Sequence, residues 1–118
     1  MRDDDEPVPE RFRPVLEQIA ERIAAGDYDC LTRDFSPYAD APVHDLGVWA
    51  RDYPATFVAF PPEAWQYAHV FHDRERGEWM IDIELWSVEE GRSDMMLETV
   101  IREHDGQVQV EIRDLRVP

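Results

Sequence analysis

The stretch Trp79-Met80-Ile81-Asp82-Ile83-Glu84-Leu85-Trp86 decides the fold. Its apolar residues Trp79, Ile81, Ile83 and Leu85 alternate with Met80, Asp82, Glu84 and Trp86, and a period of two marks a strand with one buried face. A helix would bring apolar residues back every three or four positions, which this run does not do. Working outward, Met95, Leu97, Thr99 and Ile101 alternate with Met96, Glu98, Val100 and Arg102. Val108, Val110 and Ile112 then alternate with Gln109, Glu111 and Arg113. The links are short: Arg74-Glu75-Arg76-Gly77, Glu89-Glu90-Gly91-Arg92, and Asp105-Gly106, a two-residue signal for a type I′ hairpin. Local links make antiparallel neighbours, so the C-terminal half is a meander.

Upstream of this core, Thr56–Phe60 is a short strand candidate stopped by Pro61-Pro62. Glu63–Gln66 suits a turn of helix, and Tyr67–His72 extends again. Earlier still the period changes to that of a helix. Phe12, Val15, Leu16, Ile19 and Ile23 form one stripe between Glu10 and Ala25, and Gly26 stands where a helix commonly ends. A second helix is expected from about Val43 to Tyr53, with Pro42 at its first turn and Pro54 as its stop. Residues 1–9 read as a disordered acidic lead and residues 10–118 as a single α+β domain. The expectation is two N-terminal helices packed on one face of a curved antiparallel sheet of about four strands.

Composition narrows the function. The chain has 118 residues, 43% of them hydrophobic, which is too apolar for a disordered chain and enough for one core. Its 12 basic residues are all arginine and face 27 Asp and Glu, a net charge of −15 spread evenly over both halves. Such a field repels nucleic acid and anionic membranes and draws in basic partners. A GC-rich genome or a salt-adapted proteome would also produce it. Cys30 stands alone, so no disulfide framework is expected, and a buried structural thiol is its ordinary reading. No apolar run reaches the roughly 18 residues of a membrane span, and the acidic start has no signal-peptide core. The expected location is cytoplasmic.

The chemistry-bearing residues point to binding. If the strand phases hold, Asp82 and Glu84 share a face with Glu98 and Glu111, interrupted by Trp86, Met96 and Val100. Carboxylate pairs can serve as acid and base when their environments push their pKa values apart. Arg102 and Arg113 are available on this face as partners, and its plain reading is a solvated, charge-laced surface. Aromatic and Met anchors amid acids instead suit a protein-binding face. His69 and His72 should point to opposite faces of one strand, His44 sits in the second helix, and His104 lies at a hairpin. None of these has the spacing of a metal site, and no catalytic residue or cofactor is expected. Trp65, after Pro61-Pro62, looks the most exposed of the four tryptophans. Arg92 and Asp94 flank Ser93 at a turn, where they could pair and edge the binding surface. The expected partner-binding residues are Trp65, Asp82, Glu84, Trp86, Arg92, Asp94, Glu98 and Glu111.

Two resemblances add to this. The helix ending Ile23-Ala24-Ala25-Gly26-Asp27-Tyr28-Asp29, followed by a late meander, resembles the cystatin-like, cone-shaped α+β domains of the NTF2-like type. That resemblance implies a long helix in a strongly curved sheet, with a pocket between them. The run from Trp79 through Asp94, W-x-x-D-x-x-L-W-x-x-E-E-G-R-S-D, is similar to a family of short, acidic, uncharacterised bacterial proteins. Glu63-Ala64-Trp65 upstream and Val110-Glu111-Ile112-Arg113-Asp114-Leu115 at the end extend the likeness over most of the chain. It implies the same architecture and no assigned activity. Small acidic proteins of this kind recur as immunity partners of bacterial toxins, an analogy at the level of the fold.

Three functions therefore stand open. The first is a non-catalytic acidic protein of the immunity or inhibitor type that covers a basic partner such as a toxin or nuclease. The second is an NTF2-like small-ligand or enzymatic domain with a helix–sheet pocket. The third is a homodimer paired through one sheet face.

Overall fold

A computed structural model of the chain describes residues 7–27 and 55–117. The second helix expected at 43–53, Cys30 and His44 lie outside the described residues. A 3-10 turn at Glu10–Phe12 leads into helix α1, Arg13–Ala24. Pro14 suits the first turn, where its missing N–H costs nothing. Phe12, Leu16, Ile19 and Ile23 recur every three or four residues and are all buried, so the stripe read from sequence is the packing face. The helix ends in a Schellman motif. Gly26, at φ +74°, donates its N–H to the Ile23 carbonyl at 3.0 Å, and the N–H of Asp27 reaches Arg22 at 2.9 Å. Val8 falls within the stretch that composition assigns to the lead, yet it is only 2% exposed and belongs to the core.

Among the described residues five strands make one antiparallel sheet: β1 Phe57–Val58, β2 His69–Asp73, β3 Glu78–Ser87, β4 Gly91–His104 and β5 Gln107–Arg116. The order is β1-β3-β4-β5, and β2 also pairs with β3. Hence β1 and β2 share the same edge of β3, and the 3-10 turn Pro62–Tyr67 carries the chain between them. The β4–β5 connection is the expected two-residue hairpin. His104 pairs with Gln107, and Asp105 and Gly106 have φ of 52° and 77°, the two positive values of a type I′ turn.

The inner face buries Val70, Trp79, Ile81, Ile83, Leu85, Met95, Leu97, Ile101, Ile112 and Leu115 against the helix stripe in one contiguous core. Thr99 sits in the same layer, and its hydroxyl donates to the Ile81 carbonyl at 2.8 Å. That bond offsets the cost of a buried hydroxyl. No helix among the described residues is long and apolar enough to cross a membrane.

Two irregularities curve the sheet. Between the pairs Glu84–Met96 and Trp86–Arg92, β3 passes one residue while β4 passes three. Ser93 repairs the interrupted ladder: its hydroxyl donates to the Leu85 carbonyl at 2.7 Å and accepts the Met95 N–H at 3.1 Å. Farther along, Glu98 pairs with Asp114 but Thr99 pairs with Ile112, so Arg113 is an extra residue in β5. Bulges of this kind bend a strand and sharpen its twist.

Candidate functional site

The outer face of the sheet carries the expected carboxylates, and the register sorts them into rows. One row runs His69, Asp82, Glu98, Asp114 across β2 to β5. A second runs Phe71, Met80, Val100, Glu111, and a third Asp73, Glu78, Arg102, Gln109. Side chains directly opposite one another stand about 5 Å apart, so each row is a set of touching neighbours. Met80, Asp82, Glu98, Val100, Arg113 and Asp114 together line a shallow hollow of about 320 Å³. The three carboxylates and Arg113 each hold an interaction within the chain, so the hollow is acidic in balance and already engaged.

Glu111 has a different setting. The Arg102 guanidinium hydrogen-bonds Glu78 at 2.5 Å and also Glu111, which links β3, β4 and β5 by charge. Those bonds, Glu111's first, hold the Arg102 pKa above its ordinary value against the opposing effect of burial. The second carboxylate oxygen of Glu111 is buried and has no hydrogen-bond partner among the described residues.

Glu84, Trp86 and Arg92 form a second group beside the β3–β4 turn. Arg92 lies over the Tyr67 ring at 3.9 Å from its centroid and 3.7 Å from the Glu84 carboxylate. The guanidinium is thus held by an aromatic face and an acid in a half-exposed setting. Trp86 is half-buried against the core, with its indole N–H buried and unpartnered among the described residues. The turn itself is Val88–Glu90, so Arg92, Ser93 and Asp94 belong to β4 and not to a loop. Asp94 is exposed within the bulge.

Glu89 fastens this turn to the start of β1. Its carboxylate accepts the Thr56 N–H at 2.7 Å and the Thr56 hydroxyl at 2.9 Å, and the Val88 N–H donates to the Thr56 carbonyl. The backbone N–H first, then the hydroxyl, hold the Glu89 pKa below the usual carboxylate value. At the other end of the sheet, Arg11 makes two hydrogen bonds to Glu103, of 2.8 and 3.0 Å, and lies over the rings of Phe12 and Trp79. His72 stacks on the inner-face Trp79 at 4.1 Å. His69 faces outward, as three-residue spacing on a strand requires. Among the described residues no three His, Cys, Asp or Glu side chains converge as a metal site would need.

Trp65 is partly exposed. It is half-buried against the core, edge-on to Phe60 at 5.4 Å and under the Arg13 guanidinium at 5.2 Å, because the 3-10 turn folds it inward. The exposed aromatic of that segment is Tyr67. The register therefore brings Asp82 and Glu98 together, groups Glu84, Trp86 and Arg92, ties Glu111 to Arg102, and sets Trp65 apart. Sequence reading misses Asp114 and the exposed pair Phe71–Met80. The phase of β3 already places Met80 beside Asp82. Asp114 had no such signal, since only the bulge at Arg113 turns it toward Glu98.

A family model described as a domain of unknown function, DUF7668, matches residues 20–118. No curated protein and no solved structure matches the chain.

Proposed function

The chain belongs to the DUF7668 family, and from that premise we propose that it works by binding and not by catalysis, as an acidic protein of the immunity or inhibitor type that covers a basic protein partner. The observation that carries this reading is the row Asp82, Glu98, Asp114 on one side of the sheet. Like charges placed directly opposite across strands weaken a sheet. Interactions within the chain, with Arg113 in the same hollow, offset part of that repulsion, and a cationic partner adds to them, so the arrangement suits a protein that forms a complex. A net charge of −15 would steer such a partner toward the sheet and speed the encounter. The encounter is assigned to the cytoplasm, where a chain with one cysteine needs no disulfide.

The pocket reading has less support. Leu16, Ile19, Ile83 and Leu97, which would line a cavity between helix and sheet, are all fully buried members of one core. The test is a tagged pull-down from the native host lysate at low and high salt, beside an Asp82→Arg/Glu84→Arg variant. We expect one basic protein to be held by the wild type alone at low salt, and the chain to restore growth when that protein is toxic. Equal capture by both forms would count against the acidic face.

A further inference from the structure

The apolar residues of the outer face are not scattered. Phe71 pairs with Met80, and Met80 with Val100, so the three form one stripe running across β2, β3 and β4. Phe71 is 44% exposed and Met80 42%, while Val100 forms a buried floor beside them. On one flank lies the row Asp82, Glu98, Asp114, and on the other Asp73 and Glu78 with Arg102. Counting Glu111 at the end of the stripe, Arg113 at the hollow and Arg76, which pairs with Asp73 at 3.8 Å, six carboxylates stand against three guanidinium groups among the described residues of this surface.

We propose that this stripe seats a basic amphipathic helix of the partner, its apolar side on Phe71 and Met80 and its Lys or Arg side chains on the acidic flanks. The inference rests on the reading above and deepens it by naming the element bound. The dimensions agree. Phe71 and Met80 stand one strand spacing apart, about 5 Å, and residues i and i+3 or i+4 of a helix lie about 4.5 to 6 Å apart along its axis. Lys and Arg can lay their methylene stems along apolar surface while their charged heads reach outward to the rows on either side. A strand would instead add at a sheet edge, since its hydrogen-bonding groups have no partners on a face. A second copy of this chain would bring like charge onto like charge, and an anionic membrane would be repelled for the same reason.

The test uses the full chain, labelled with 13C at the methionine methyls, and a synthetic Leu/Lys amphipathic peptide of about 14 residues, long enough to complete the apolar side. A counterpart carries Gln in place of Lys. Met80 should shift on titration with the Lys peptide at low salt, while the buried Met95 serves as the internal control. The Gln peptide and the Phe71→Ser/Met80→Ser variant should each weaken binding about tenfold or more. Both substituted residues are exposed, so an unchanged circular dichroism melt should accompany the loss. Undiminished binding by that variant, or no binding up to about 1 mM peptide, overturns the inference. Binding that survives in the Phe71→Ser/Met80→Ser variant but fails in Asp82→Arg/Glu84→Arg removes the stripe and leaves the acidic-face reading standing. Equal affinity for the Lys and Gln peptides removes both. Self-association in sedimentation, lost in the Phe71→Ser/Met80→Ser variant, would assign the stripe to a second copy and overturn the helix.

Discussion

Ser93 occupies the one place in β4 where the ladder to β3 breaks, and its hydroxyl serves as both donor and acceptor there. Ser93→Ala would leave the Leu85 carbonyl and the Met95 N–H without that partner in a buried site. A stranded pair of this kind costs about 2 kcal/mol. For a domain of this size the expected fall in Tm is roughly 8 °C, read by thermal or urea unfolding. An unchanged Tm would mean that water satisfies the two groups and that the bulge is open. Such a role is hidden from sequence, where Ser93 reads as turn chemistry between Arg92 and Asp94. A serine in a strand and one in a turn look alike until the register is known. Asp82 and Glu84 were legible because strict alternation fixes their face. The partial burial of Trp65 is not legible, because nothing in the sequence tells which way a 3-10 turn rolls its side chains.

Elements are joined at their ends by two carboxylates, Glu89 exposed and Glu103 partly so, and both respond to acid. Glu89 holds β1 to the β3–β4 turn, and Glu103 holds the start of the helical segment through Arg11. Both pKa values lie below the ordinary 4.5, Glu89's through the Thr56 bonds and Glu103's first through its hydrogen bond to Arg11. The unfolded chain therefore takes up these protons before the folded one as the pH falls. The stability they supply is complete above the ordinary carboxylate range and is lost as the pH drops through the lowered folded values. Glu89→Gln should accordingly show a shallower loss of stability than the wild type between about pH 5 and pH 3, measured by urea unfolding at each pH. At this scale the strands, the hairpin at Asp105-Gly106 and the helix stripe all follow from periodicity and turn chemistry. The bulges do not, because an extra residue disturbs the period by one position and leaves composition untouched. Arg113 keeps the outer face that alternation gives it, while the bulge brings Asp114 out beside it, opposite Glu98.

For the molecule as a whole, the charge acts in two opposite ways. A net −15 repels itself within a compact fold, so screening by salt should stabilise the chain against urea. The same screening should weaken its hold on a basic partner. Raising salt from about 50 mM to about 500 mM should therefore move stability up and affinity down. Unfolding curves and titration calorimetry on the same samples would measure the two. Affinity that does not fall with salt would mean that charge is not the agent of binding, and stability that does not rise would mean that the fold already offsets its own repulsion.

The extra residue in β5 has a consequence for how this fold can vary. Val100–Glu111 and Thr99–Ile112 pair on one side of Arg113, and Glu98–Asp114 and Leu97–Leu115 on the other. A chain shortened by that one residue would keep all four of these pairs, with Leu115 still facing inward and Asp114 still facing outward. Removing Ile112 instead would move Arg113 into its place in the core. The sheet can thus be flattened or bent by a single-codon insertion or deletion at this point, changing the shape it offers without exchanging the residues it displays.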